Sequence, residues 1–197
     1  TVPTRILLEP ESKNTAPALT LAALASCDKN PESILIVTPA DHYVKDLSKF
    51  TETMHLAIKA LIDKAIVILG INPTRPETGF GYIHYEGDDP IKNVLSFKEK
   101  PDLFTAQEFI SQGKYCWNGG IFILHSRTWL NTIHIGNQVI SHQVRQAWSD
   151  RNFDKWFERP NLEAFKKSPS DSIDCAVIEK SQELGLSIKL AILNAGW

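Results

Sequence analysis

Apolar positions follow two rhythms along the first third of the chain. Residues 34–38 (ILIVT) and 65–71 (AIVILGI) are short β-branched runs with no polar side. That is the pattern of strands buried on both faces of a parallel sheet. Between them, over 44–64, apolar residues recur at Leu47, Phe50, Met54, Ala57, Ile58, Leu61 and Ile62, the spacing of one helix face. Residues 16–26 (APALTLAALAS) are rich in Ala and Leu, with Asn14 or Thr15 placed to cap a helix. The alternation is βαβ and predicts a Rossmann-like three-layer α/β sandwich on a mixed, mainly parallel sheet.

The middle of the chain changes rhythm. Residues 81–86 and 94–100 alternate like half-exposed strands, joined by a polar turn at Asp88–Asp89–Pro90. Residues 119–125 (GGIFILH) return to the core. Residues 128–166 read mainly as helices, with Trp129, Trp148 and Trp156 expected in core or interface, and 187–193 as a last strand. No repeat, low-complexity segment or Pro/Gly-rich linker divides the chain, so 1–197 reads as one domain.

Composition adds bounds. At 43% hydrophobic and 22% charged, the chain has ample material for a core and no signature of disorder. A net charge of -2 argues against nucleic acid or a membrane surface as partner. Three scattered cysteines, Cys27, Cys116 and Cys175, suggest neither a disulfide framework nor a zinc site, which suits a reducing cytoplasm. No apolar run reaches the ~18 residues of a membrane span.

In open α/β sheets, ligands sit beyond the carboxyl ends of the strands. Asp41, just after 34–38, is placed either to hold Mg²⁺ against a nucleotide phosphate or to cap the following helix. The segment NPTRPETGFGY at 72–82 has two prolines to stiffen it, two glycines to admit a ligand and Glu77 to accept from hydroxyls; alternatively it is a plain connection. In Lys98–Glu99–Lys100–Pro101, Glu99 suits a sugar hydroxyl and Lys100 a phosphate, unless both are simply solvated. Asn118 offers a donor and an acceptor to a polyol beside Gly119 and Gly120. Residues 172–180 (SIDCAVIEK) set acidic and basic groups on a short helix.

Taken in order, these segments carry a resemblance. ILLEPESKNTAPA at 6–18, VTPADHYV at 37–44, LGINPTRPETGFGYI at 69–83, FKEKPD at 97–102, YCWNGGIFIL at 115–124, SIDCAVIEK at 172–180 and NAGW at 194–197 resemble the ordered motifs of bacterial mannose-1-phosphate guanylyltransferases (GDP-mannose pyrophosphorylases). The group is the one related to bifunctional phosphomannose isomerase/guanylyltransferases. The resemblance implies the nucleotide-diphospho-sugar transferase fold. It also implies transfer of GMP from GTP to mannose 1-phosphate, giving GDP-mannose and pyrophosphate, with Mg²⁺ as cofactor. Carried over residue by residue, it makes Asp41 a metal ligand and puts Glu9, Asn14 and Thr15 at the base and ribose. Glu77, Gly81, Glu99 and Asn118 go to the mannose ring, and Lys100 and Lys180 to the sugar phosphate. Lys100 and Asp41 are the expected catalytic pair.

The family's Gly-rich, Arg-containing phosphate loop and the Asp of its second metal carboxylate have no counterpart in residues 1–197, so an incomplete domain is expected, with exposed sheet edges. Three other functions stay open: a nucleotidylyltransferase for another base or sugar, a non-catalytic sugar-nucleotide binding fragment, and a piece of a bifunctional mannose-6-phosphate isomerase. A homodimer and a fused C-terminal isomerase domain are compatible with the resemblance.

Overall fold

The computed structural model describes residues 4–61 and 65–195. Ile62, Gly196 and Trp197 of the segments above lie outside the described residues. In chain order the elements are β1 (Ile6–Leu7), α1 (Thr15–Cys27), β2 (Ile34–Val37), α2 (Leu47–Lys59), β3 (Ile66–Ile71), β4 (Tyr82–Glu86), β5 (Ile91–Lys98), α3 (Leu103–Gln112), β6 (Tyr115–His125), α4 (Ser126–Gly136), α5 (Gln138–Ser149), β7 (Asn152–Phe153), β8 (Phe157–Arg159), α6 (Leu162–Lys166), the π-helical α7 (Asp174–Ile178) and β9 (Ile188–Ile192). None of the described helices is long and apolar enough to cross a membrane.

Two compact units emerge: Thr1–Ser33 with Ser126–Lys180, and Ile34–His125 with Ser181–Trp197. The boundary at Ser33 abuts β2, the one at His125 joins β6 to α4, and the one at Lys180 falls in the turn after α7.

The second unit holds a six-stranded sheet in the order β2-β6-β3-β9-β5-β4. It is mixed. β2, β3, β4 and β9 run one way, with β5 and β6 against them, although β3 and β9 are the neighbours paired in parallel. β3 is the centre: Ile66, Val67, Ile68 and Leu69 are fully buried, each side chain contributing about 1.5–3 kcal/mol. β2 departs from expectation. It pairs antiparallel with β6 at the end of the sheet order, and Ile34 and Ile36 are 40% and 48% exposed. Its apolar run reads as doubly buried, but β6 is its one neighbour among the described strands. α2 lays Met54 and Ala57 on the core formed with Val67, Ile121 and Ala191. Its first turn is capped by Asp46, whose Oδ1 accepts from the Lys49 amide at 3.0 Å.

The first unit is built around α1, apolar nearly all round and buried accordingly. Trp129 of α4 is fully buried and donates its indole N–H to Thr20 Oγ1 at 2.9 Å, satisfying the polar end of a large apolar ring. Trp148 is buried too, but Trp156, expected in a core or interface, is 68% exposed at the β7–β8 turn. A short β1-β8-β7 sheet interrupts the helices expected over 128–166.

Candidate active site

The second unit opens its sheet at one place. Residues 122–125 of β6 pair with β2 and residues 115–117 with β4, while β3 holds the opposite edge. Between them the register against β3 slips: Leu69 faces Ile121 but Gly70 faces Asn118. Gly119 and Gly120 are thus extra residues in a bulge, a device that re-aims neighbouring side chains. Glycine is needed here. A methyl group on Gly119 would sit 2.7 Å from the Leu69 carbonyl oxygen, and Gly120 has φ 66°. The bulge is fastened by the Asn118 side chain, whose Oδ1 accepts from the Gly120 amide at 2.9 Å. The Asn118 amide donates to the Gly81 carbonyl at 2.8 Å.

Loops from three strand ends meet at this bulge. From β2 comes Asp41, exposed, in the turn whose Pro39 and His42 lie 3.5 and 3.8 Å from where a Gly120 Cβ would be. The helix that follows is capped by Asp46, so the capping alternative for Asp41 does not hold. From β5 comes Glu99, with Oε2 2.7 Å from where a Cβ on buried Gly81 would lie; its other oxygen is 3.4 Å from Lys100 Nζ. Gly81, Glu99, Lys100 and Asn118 therefore belong to one neighbourhood, with the Pro39–His42 turn that carries Asp41 beside Gly120.

From β3 comes the segment 72–81, which holds itself in shape. Glu77 Oε1 accepts from the Gly79 amide at 3.2 Å, and Oε2 accepts from Arg75 Nε at 3.2 Å and Nη2 at 3.1 Å. The Gly79 amide first, then Arg75, holds the Glu77 carboxyl below its usual range. The Glu77 amide donates to the hydroxyl of fully buried Tyr82 at 2.9 Å. Arg75 also lies 5.9 Å above the Trp117 ring, with Phe80 edge-on to the same ring at 5.2 Å. Glu77 is thus first a loop-shaping group, with lone pairs left for a ligand. Nothing in the spacing alone marks Arg75 or Tyr82; the i, i+2 pairing of Arg75 with Glu77 is the one clue.

Lys100 has φ 43°, unusual for a residue with a side chain, and precedes Pro101, which further disfavours helical backbone. Such strain costs about 1–3 kcal/mol and concentrates at functional sites. Asn14 (φ 67°, ψ -169°) is the other described non-glycine residue with positive φ, in a region that is almost glycine-only. Both belong to the sequence motifs.

Asn14 lies in the first unit. Its Oδ1 caps α1 through the Thr15 amide at 2.8 Å, and Thr15 Oγ1 accepts from the Ile173 amide at 2.9 Å. Glu9 is half-buried, and Oε1 is a buried atom without a hydrogen-bond partner among the described residues. Burial pushes its carboxyl above the usual range. Such an atom accepts readily from a donor-bearing ligand. Lys180 is exposed, one residue after Glu179 and beyond α7. Its place in the first unit links it to Glu9, Asn14 and Thr15 by unit alone.

Among the described residues, no three His, Cys, Asp or Glu side chains converge on a possible metal position. Asp41 still suits Mg²⁺, which keeps several waters and takes one or two carboxylates plus substrate phosphates. The three cysteines are free thiols.

A nucleotidyl transferase family profile matches residues 1–161. The xanthan biosynthesis protein XanB of Xanthomonas campestris pv. campestris (strain B100) is 38% identical over 195 residues, covering 99% of this chain and 41% of that protein. The putative mannose-1-phosphate guanylyltransferase of Vibrio cholerae is 37% identical, over 98% of this chain and 41% of that protein. A crystal structure titled mannose-6-phosphate isomerase from Helicobacter pylori superposes with a TM-score of 0.85 at 32% identity, covering 97% of this chain and 72% of that one. The chain therefore spans about two-fifths of the curated relatives it matches.

Proposed function

Because the chain belongs to the nucleotidyl transferase family, we propose that it is the catalytic part of a mannose-1-phosphate guanylyltransferase, in which GMP passes from GTP to mannose 1-phosphate. A phosphate oxygen of the sugar phosphate attacks the α-phosphorus of GTP, the bond to the β-phosphate oxygen breaks, and pyrophosphate leaves. No covalent intermediate with the protein is required. Residues of this kind work by positioning and charge neutralisation.

What supports the reading is the grouping of Gly81, Glu99, Lys100 and Asn118 at one sheet bulge, beside the Pro39–His42 turn that carries Asp41. Glu99 and Asn118 supply the acceptors and donor that a hexose asks for, and Gly81 leaves room for the ring. Lys100, held in strained backbone beside them, meets the sugar phosphate, and Glu77 adds an acceptor from its braced loop. Lys180 is a second cation for that phosphate. In the first unit, Glu9 accepts from the N1–H and N2–H donors of guanine, and Asn14 and Thr15 border the ribose. The names of the relatives favour this base and sugar over others. Asp41 would hold Mg²⁺, which when bound neutralises phosphate charge. We read 1–197 as part of a single transferase domain, working in the cytoplasm.

Calorimetry with mannose 1-phosphate tests the sugar side. Lys100→Ala should weaken binding about 10–100-fold, the loss of one charge-assisted hydrogen bond. Equal affinity in wild type and variant would remove Lys100 from the phosphate.

A further inference from the structure

The α4–α5 hairpin is chemically unlike the rest of the chain. From Ser126 through Ser149 there is no Asp or Glu, in a protein with 23 acidic residues among 197. The same segment carries Arg127, His134, His142 and Arg145. A cavity of about 510 Å³ in the second unit, by contrast, mixes Lys49 and Lys92 with Glu52, Asp88 and Asp89 and has no clear charge preference.

Between α4 and α5 lies a groove of about 470 Å³ lined by Asn131, His134, Gln138, Ser141, His142 and Arg145. The helical spacing explains the convergence: 131 and 134 are one turn apart on α4, and 138, 141, 142 and 145 share a face of α5. No carboxylate lines the groove.

Arg145 is the telling residue. The chain has six arginines, and among the described residues Arg5, Arg75, Arg127, Arg151 and Arg159 each pair with a carboxylate. Arg145 has no such pair. Its guanidinium makes two long contacts with neutral acceptors, 3.4 Å to Ser141 Oγ and 3.5 Å to the Leu130 carbonyl oxygen. With five N–H donors in a planar fork, most of its hydrogen-bonding capacity faces outward.

We infer that this groove is a second anion-binding site, taking a phosphate group on a small molecule. A phosphate offers several acceptor oxygens. Arg145 supplies a bidentate fork, His134 and His142 supply ring donors from opposite walls, and Asn131 and Gln138 supply amides. The groove is larger than a bare phosphate requires, so a phosphate monoester fits. The site shares no residue with the bulge that gathers Lys100 and Asn118.

The test is NMR on the Cε1–H resonances of His134 and His142, assigned with His134→Gln and His142→Gln. The probes are inorganic phosphate and glucose 6-phosphate, with sodium chloride at matched ionic strength as control. The experiment is run in wild type and in Lys100→Ala, which removes the proposed sugar-phosphate contact. Saturable shifts of both resonances with phosphate, persisting in Lys100→Ala, are expected. Arg145→Gln should raise the dissociation constant about ten-fold or more, and Arg145→Lys should fall between. Tighter binding of glucose 6-phosphate than phosphate would identify the ligand as an ester; equal binding would identify the phosphate group alone. No saturable shift, an equal shift with chloride, or full binding by a folded Arg145→Gln would overturn the site.

Discussion

Lys100 combines a strained backbone with a cation 3.4 Å from Glu99, and backbone and charge can be separated. Lys100→Gly keeps the φ of 43° at no steric cost but deletes the amine. It is expected to leave thermal stability unchanged or raise it by up to about 1 kcal/mol, while turnover of the complete enzyme collapses. A marked loss of stability would mean that the side chain, not the backbone, holds this turn. Asp41→Asn should likewise cut turnover strongly with the fold intact by circular dichroism; an unchanged rate at saturating Mg²⁺ would dismiss Asp41 as the ligand.

Glu77 makes a pH prediction. Its folded carboxyl lies below the ordinary 4.5, so its ionic bracing of the loop is present above that value and is lost as pH falls through the lowered range. The fluorescence difference between wild type and Glu77→Gln, which reports the Arg75–Trp117 contact, should be constant down to about pH 4.5 and vanish only below it. A midpoint above the ordinary value would contradict the bracing. Asp41, Glu99, Lys100 and Asn118 were legible as motif residues, since each follows or interrupts an apolar run. Arg75 and Tyr82 were not, because their roles depend on a loop folding back on β6.

At the scale of elements, β3 and the β6 bulge set the site. A methyl group on Gly70 would overlap Cys116 Sγ and lie 2.6 Å from Leu190 Cδ1. Gly70→Ala should therefore cost about 1–3 kcal/mol through overpacking, visible as a lower denaturant midpoint. Wild-type stability in this variant would mean that the β3–β6–β9 junction is looser than these distances imply. α1 was legible from its Ala- and Leu-rich run and the Asn14 cap, and α2 from its periodicity, although its cap is Asp46 and not Asp41. β2 was misread because a short run such as ILIV does not distinguish a doubly buried strand from a sheet edge; its partner, not its composition, decides. The short β7–β8 pairing was missed because two- and three-residue strands leave almost no periodicity.

At the scale of the molecule, the mixed α/β sheet followed from the alternation of apolar rhythms. The two-unit division did not, because two of its three crossings occur without a linker: Ser33 passes directly to β2, and β6 directly to α4. Asp41, Glu77, Gly81, Glu99, Lys100 and Asn118 lie in the second unit, and Glu9, Asn14, Thr15 and Lys180 in the first. The most direct measurement is pyrophosphate release by the complete gene product, with GTP, UTP or dTTP against mannose 1-phosphate or glucose 1-phosphate in the presence of Mg²⁺. The proposed activity predicts fastest release with GTP and mannose 1-phosphate, and loss of that release in Lys100→Ala. Preference for dTTP or glucose 1-phosphate, or full release by Lys100→Ala, would contradict it.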